Sequence, residues 1–265
     1  MNEKNILAEI AAVTRRDLVK QKAFLPEEEI RALCASCHRE KRDFYHALRR
    51  ENRSSGTPKV IAELKKASPS AGVIRADFQP LTLAPALEKA GAAALSILTE
   101  PHWFQGSPAY LSGVSRLVKI PVLRKDFIVD AYQICQAKLW GADAILLIAA
   151  LLDDRTLRDL AQTAAELELA VLGEAHDQAE LDRLLAVAEI GAVGVNCRDL
   201  KTFRTDWAGL DALLRRIPAD RVAVAESGIK SAADMAALPA DAFLIGTTLM
   251  AADRPDAKLR ELLRK

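Results

Sequence analysis

Residues 144–174 read AILLIAALLDDRTLRDLAQTAAELELAVLGE, and the architecture follows from this stretch. It opens on a short, wholly apolar run, Ala144-Ile-Leu-Leu-Ile148. It continues through a helix-like stretch from Leu157 to Leu169 and closes on a second run, Ala170-Val-Leu-Gly-Glu174. Short aliphatic runs on either side of one helical pattern mark parallel strands joined by a crossover helix. The same unit recurs outward in both directions. Val60-Ile-Ala-Glu-Leu-Lys65, Ala93 to Thr99 and Pro121-Val-Leu-Arg-Lys125 come before it; Ala192-Val-Gly-Val-Asn196, Arg221 to Glu226 and Ala242-Phe-Leu-Ile-Gly246 follow. Eight βα units in about 200 residues is the size of a (β/α)8 barrel. A doubly wound open sheet is the alternative. It carries a G-x-G-x-x-G turn after its first strand, where this chain has Lys66-Ala-Ser-Pro-Ser-Ala-Gly72. The expectation is an α/β protein, a (β/α)8 TIM barrel with an N-terminal helical extension.

Residues 1–265 then form one barrel domain, with residues 1–50 as the extra helices. Ile6, Ile10 and Val13 form one apolar stripe, and Leu25-Pro26 opens a second helix with proline in its first turn. The turn-rich stretch from Asn52 to Pro58 marks the boundary with the barrel. This extension carries a basic excess, and Arg49, Arg50 and Arg53 would add a positive field beside a site.

Over the whole chain, 37 Lys and Arg face 36 Asp and Glu, leaving +1, which argues against a nucleic-acid partner. Half the residues are apolar and 5% aromatic, the usage of aliphatic layers between strands and helices. The longest apolar stretch, around Ala144 to Leu152, falls far short of the ~20 residues that cross a bilayer, and Met1-Asn-Glu-Lys4 does not open a signal peptide. A cytoplasmic protein with no membrane partner is expected. The four cysteines are too scattered for a disulfide framework. Cys34-Ala-Ser-Cys37-His38 has the C-x-x-C-H form of haem attachment, but that attachment needs export. As a zinc site it is one ligand short. At i, i+3 and i+4 of a helix these residues fit a core-facing role.

In a parallel barrel the binding groups gather at the C-terminal strand ends. Those ends hold Glu63 and Lys65, Lys125, Glu174, Asn196 and Arg198, Glu226 and Ser227, and Gly246 and Thr247. Period-two alternation gives each charged member a face: Glu63 and Lys65 share one with Ile61, Lys125 with Leu123, Glu174 with Leu172, Arg198 with Asn196, and Glu226 with Val224 and Val222. One inward face can hold them all. Three glutamates and three basic residues neutralise one another, a pairing that keeps the lysines protonated and the glutamates ionised near pH 7 and suits acid–base chemistry. The last two units add Ala225-Glu-Ser-Gly-Ile229 and Leu244-Ile-Gly-Thr-Thr-Leu249, whose small residues let backbone N–H groups face an anion, so a sugar phosphate is the expected ligand. Ser231 is placed to cap the following helix, with Asp234 three residues on. No His, Cys or Asp cluster with metal spacing falls at these ends, and His176 stands beside Glu174 as a supporting residue. Neither metal nor cofactor is expected.

Ile61-Ala-Glu-Leu-Lys-Lys-Ala-Ser-Pro-Ser70, Leu123-Arg-Lys-Asp-Phe127, Leu172-Gly-Glu-Ala-His176, Gly194-Val-Asn-Cys-Arg-Asp-Leu200, Ala225 to Ile229 and Leu244-Ile-Gly-Thr247 together resemble the indole-3-glycerol-phosphate synthase family of tryptophan biosynthesis. The resemblance runs over nearly the whole chain. It departs at Cys197, at Gln79 and at Pro101-His-Trp103, and none of these removes a charged strand-end residue. It implies decarboxylating and dehydrating closure of a five-membered ring on an anthranilate-derived ribulose phosphate. The roles it implies are Lys125 as proton donor to the ribulose carbonyl, Lys65 as phosphate or carboxylate ligand and second donor, and Glu174 as base in the dehydration. Glu63 and Asn196 would hold sugar hydroxyls and Glu226 would support the network. Ser68 and Pro69 would sit on a lid loop, Lys66 to Pro80; Phe104, Phe127 and Leu200 would wall an aromatic pocket. Arg198 and Ser227 would contact substrate, and Gly228, Gly246 and Thr247 would take the phosphate. Transient contact with other enzymes of the pathway is compatible with such a role. The pathway's isomerase would carry a cysteine where Glu63 and Lys65 stand, a Schiff-base aldolase leaves the second lysine unexplained, and a non-catalytic binding barrel would have lost one of Lys125, Glu174 or Lys65.

Overall fold

The computed structural model describes residues 3–53, 56–196 and 206–264. The extension comes first, as α1 (Glu3–Phe24), α2 (Glu27–Ala35) and α3 (Phe44–Leu48). Strand β1 (Lys59–Leu64) leads through a small hairpin, β2 (Ala67–Ser68) and β3 (Gly72–Val73), into α4 (Pro80–Ala90). Strand and helix then alternate as β4 (Ala94–Leu98), α5 (Pro108–Ser115), β5 (Val122–Lys125), α6 (Ala131–Leu139), β6 (Ala144–Ile148), α7 (Asp154–Glu166), β7 (Ala170–Ala175) and α8 (Gln178–Leu185). The chain ends with β8 (Ala192–Asn196), α9 (Trp207–Leu214), β9 (Val222–Glu226), α10 (Ala232–Ala236), β10 (Ala242–Ile245), α11 (Thr247–Met250) and α12 (Pro255–Leu263).

Strands β1 and β4 to β10 pair in parallel in chain order, and β10 closes on β1, making the expected (β/α)8 barrel. The alternation holds around the ring. Ile61, Ala94, Leu123, Leu146, Leu172, Ala192, Val224 and Leu244 fill the interior, while Val60, Ala62 and Leu64 face the helices. Helix starts are set by side-chain caps. Asp130, Asp153, Asp177 and Asp206 accept first-turn N–H groups of α6, α7, α8 and α9, and Ser231 forms a capping box with Asp234 at α10. These caps fix where the loops after β5 to β9 must stop.

The extension runs from one end of the barrel to the other. Ile6, Leu7 and Ile10 of α1 line the cavity at the C-terminal strand ends. Further along α1, the Tyr132 hydroxyl on α6 lies within bonding reach of the Gln21 and Leu25 carbonyls, and Lys22 pairs with Asp130 at 2.8 Å. Helix α2 packs on α6 through Ile30, Cys34, Tyr132 and Cys135. Phe44 and Leu48 of α3, both buried, plug the N-terminal end of the barrel.

Two expectations are corrected here. Helix α2 ends at Ala35, so Cys37 and His38 lie beyond its C-cap and share no helix face with Cys34. Burial, reinforced by neighbouring Cys135, pushes the Cys34 thiol up to about 12. The arginines after α3 do not stand beside the site but at the opposite end, where the starting strands present carbonyls that need donors. Arg49 donates to the Asp220 carbonyl, Arg50 to that of Ala240, and Arg53 pairs with Asp241 at 2.8 Å. Arg39 and Arg42 clamp Asp143 at 2.7 and 2.8 Å, and the same carboxylate accepts the Val122 N–H. Among the described residues no helix is long and apolar enough to cross a membrane.

Asp143 is fully buried at its side chain, so its removal strands two guanidinium groups and a strand N–H. Asp143→Ala is expected to cost ~3–5 kcal/mol of folding free energy in urea unfolding followed by circular dichroism. An unchanged midpoint would mean that the arginines find other partners.

Candidate active site

A cavity of about 600 Å³ opens at the C-terminal strand ends. Glu63, Lys65, Ser68, Pro69, Phe104, Lys125, Phe127, Glu174, Asn196, Glu226, Ser227, Gly228, Gly246 and Thr247 all line it, so the fold brings together residues that the sequence spreads over nearly 190 positions. Arg198 and Leu200, like Cys197, lie outside the described residues.

Lys125 organises the floor. Its Nζ lies 2.8 Å from Glu174 Oε2 and 3.5 Å from Glu226 Oε2. At the end of β1, one strand beyond β4 from Lys125, Lys65 and Glu63 pair at 2.5 Å. The Asn196 amide donates to Glu174 Oε1 at 3.3 Å, and His176 Nε2 approaches the same oxygen at 3.3 Å. Two glycines make the room. A Cβ at Gly194 would overlap the Glu226 carboxylate, and one at Gly246 would overlap that of Glu63. Gly246 is therefore required by the carboxylate beside it, whatever it offers an anion.

Burial works against the charge on Lys125, but Glu174, Glu226 and Glu63 outweigh it and hold the ammonium above the ordinary lysine range. Burial likewise pushes Glu174 upward, and Lys125 with His176 overcomes it, holding the carboxyl well below its usual value. Glu226 goes the other way. Burial pushes it up to about 8, Lys125 draws it only partly back, and the like charges of Glu174 and Glu63 add to the rise. The expectation that all three glutamates are ionised near pH 7 is thus corrected at Glu226. Its side chain is 2% exposed, and its Oε1 has no hydrogen-bond partner among the described residues.

The aromatic wall is held from behind. The Phe104 and Phe127 rings stand 5.9 Å apart at 41°. The buried Glu100 carboxylate accepts the backbone N–H groups of His102, Trp103 and Phe104 at 2.7–3.0 Å, and so folds the Pro101 to Phe104 turn. Asp126 accepts the Phe127 N–H and pairs with Arg124, whose guanidinium lies over Trp140. Neither Glu100 nor Asp126 was among the expected site residues, although Glu100 directly follows the second strand run and could have been read as a strand-end charge. Loop 66–80 is partly folded by the β2–β3 hairpin, and Arg75 ties it to the carbonyls of Met250 and Ala252.

At the anion end, Ser227 and Gly228 both take positive φ, +66° and +78°. Such backbone is costly for serine and turns the loop sharply after β9. Thr248 bonds the Ile229 carbonyl, joining this loop to the start of α11, and Thr248 and Lys230 also line the cavity.

A carboxyl with a raised folded-state pKa binds more protons in the folded than in the unfolded chain, so its cost to stability grows as pH rises toward that value. Glu226→Gln removes this cost. It is expected to raise the thermal midpoint by a few degrees at about pH 8 and by less at about pH 5.5. Equal shifts at both pH values would show that Glu226 is ionised throughout.

Over residues 7–262 the chain matches the family model described as indole-3-glycerol phosphate synthase. A protein of that name from Acidithiobacillus ferrooxidans is 46% identical over 261 residues, covering 97% of this chain and 98% of the relative. Another from Polaromonas sp. is also 46% identical, over 267 residues, with the same coverage. Among solved structures, a mutant tryptophan synthase α-subunit from Pyrococcus furiosus superposes with a TM-score of 0.58 at 15% identity, covering 78% of this chain and 98% of that one. At that identity the likeness speaks to the barrel alone.

Proposed function

The chain belongs to the indole-3-glycerol phosphate synthase family, and from that premise we propose how its residues divide the reaction. It is a carboxy-lyase of tryptophan biosynthesis that converts 1-(2-carboxyphenylamino)-1-deoxyribulose 5-phosphate to indole-3-glycerol phosphate, CO2 and water. The observation that carries the residue assignment is Lys125 held between Glu174 and Glu226, facing a second lysine–glutamate pair.

In the first step the aromatic carbon bearing the carboxylate attacks the ribulose carbonyl carbon. The carbonyl π electrons move to oxygen, which takes a proton from Lys125. A developing alkoxide is basic enough to remove a proton even from an ammonium stabilised by two carboxylates. Glu226, protonated near neutral pH and 3.5 Å away, returns a proton to the amine and becomes the carboxylate that re-forms the pair. The bond to the carboxylate then breaks, its electrons restore the aromatic ring, and CO2 leaves. In the dehydration Lys65 protonates the departing hydroxyl and Glu174, the ionised carboxylate, takes the proton from the adjacent carbon. Two protons are delivered and one is recovered, so each turnover draws one from solution.

Glu63 and Asn196 hold sugar hydroxyls and keep the lysines aligned. Phe104 and Phe127 receive the anthranilate ring together with Ile6, Leu7 and Ile10, and Ser227, Gly228, Gly246 and Thr247 receive the phosphate. Arg198, Leu200, Ser68 and Pro69 complete the substrate contacts. A phosphorylated small molecule as substrate and another as product fit a cytoplasmic setting.

Purified protein given the carboxyphenylamino-deoxyribulose phosphate in buffer with a chelator is expected to produce growing indole fluorescence. Lys125→Ala should lower kcat by ~10²-fold or more through loss of the general acid. An unchanged kcat would move that role to Lys65.

A further inference from the structure

Glu174 must offer one oxygen to substrate while remaining ionised, and its surroundings contain a device for this that the reaction scheme above leaves unused. Lys125 takes Oε2 of Glu174 at 2.8 Å, while His176 Nε2 lies 3.3 Å from Oε1. The other ring nitrogen, Nδ1, is 3.1 Å from Glu180 Oε2. That Glu180 oxygen also accepts the His176 backbone N–H at 2.8 Å, and Glu180 itself sits in the first turn of α8, whose start is fixed by the Asp177 cap. A neutral imidazole has one N–H and can donate to one carboxylate only. With carboxylate oxygens at both nitrogens, the arrangement is satisfied by the doubly protonated ring.

We propose that His176 is a positioning residue for ring closure: its imidazolium, clamped between Glu180 and Glu174, fixes one oxygen of Glu174 and so aims the other at Lys125 and the reacting carbon. The proposal deepens the residue assignment above and rests on it. Among the described residues, the charged groups facing the ring are Glu174 from β7 and Glu180 from α8, with Lys125 of β5 beyond Glu174; Asn196 of β8 adds a neutral donor to Glu174 Oε1. Although burial opposes the charge, the two carboxylates raise the ring to about 10. The side chain is 21% exposed, at the edge of the cavity rather than in its floor.

The test is kcat and KM across pH for the wild type, His176→Ala, His176→Gln and Glu180→Gln. His176→Ala is expected to lower kcat about tenfold with KM within about twofold, the split expected of a group that aims the base rather than binds substrate. Loss of the cation should also move the acid limb of kcat to higher pH by roughly one unit, because Glu174 then holds its proton more tightly. His176→Gln, which keeps a donor without the charge, should recover part of kcat above that limb while the limb stays displaced. Glu180→Gln should make kcat fall at lower pH on the basic side, as the ring gives up its proton earlier. Folded variants with an unmoved acid limb would overturn the proposal and leave His176 a packing residue. Should His176→Ala not fold, the limbs of the Gln variants decide. A ring-carbon NMR titration of the wild type reads the proposal without turnover. A ring still doubly protonated at about pH 8 supports it, and one titrating near the ordinary histidine value of about 6.5 overturns it. A wild type that binds substrate without forming indole would instead remove the underlying assignment.

Discussion

The ammonium of Lys125 sets the terms for the rest of the site. A cation taken out of water costs several kcal/mol unless opposed at close range. The barrel register supplies the opposition. Leu98 pairs with Lys125 across β4 and β5, Ile148 with Glu174 across β6 and β7, and Asn196 with Glu226 across β8 and β9, which brings these residues to the same end of the closed ring. One ammonium cannot keep two buried carboxylates charged. Glu174, nearer at 2.8 Å and helped by His176 and Asn196, stays ionised; Glu226, at 3.5 Å and with one oxygen unpartnered among the described residues, takes the proton. The opposite shifts of the two glutamates are thus one effect, and they separate a base from a proton store without any difference in residue type.

Such a cluster costs stability, and the other end of the barrel is built to supply it. There the charged residues are spent on backbone groups and structural carboxylates. Arg39, Arg42, Arg50 and Arg53 reach carbonyls at strand starts and the buried Asp143 and Asp241, and α3 covers the interior with Phe44 and Leu48. Tyr45 belongs to the same arrangement. Its hydroxyl accepts the N–H groups of Val171 and Gly191, and a Cβ at Gly191 would overlap its ring. Non-glycine residues at positive φ occur at both ends, Glu168 ahead of β7 and Gln105 and Ser227 in loops after the strand ends.

The barrel was legible in the sequence because its evidence is local. Each strand is a short aliphatic run, and alternation from Leu123 to Lys125 or Leu172 to Glu174 already states which residues point inward. Closure then makes those ends converge, so the residues at the strand ends could be named before any distance was known. What stayed hidden depends on contacts across the chain. The arginines at 49–53 look alike whichever end of the barrel they serve, and only the path of the extension sends them away from the site. The role of Glu100 depends on a turn closing over it, and the split between Glu174 and Glu226 depends on a difference of less than one ångström in their reach to a shared cation. Period-two reading assigns a face to a side chain but says nothing of its protonation.

The first helix shows how the two kinds of information meet. Its apolar stripe, with Ile6 and Ile10, would serve equally to pack against any helix of the barrel. What carries its first turns to the mouth instead is a set of polar fixings spaced along it: Asp17 to His102 at 2.8 Å at the turn that Glu100 holds, and Gln21 and Lys22 to the side chains of α6. The same Glu100 turn presents Phe104, and the Phe104 carbonyl accepts the Ala67 N–H of the hairpin that carries Ser68 and Pro69. One buried carboxylate therefore couples the extension, the aromatic wall and the hairpin loop. A disturbance at any of the three has a direct route to the other two, so the pocket is shaped by a turn that takes no part in the chemistry.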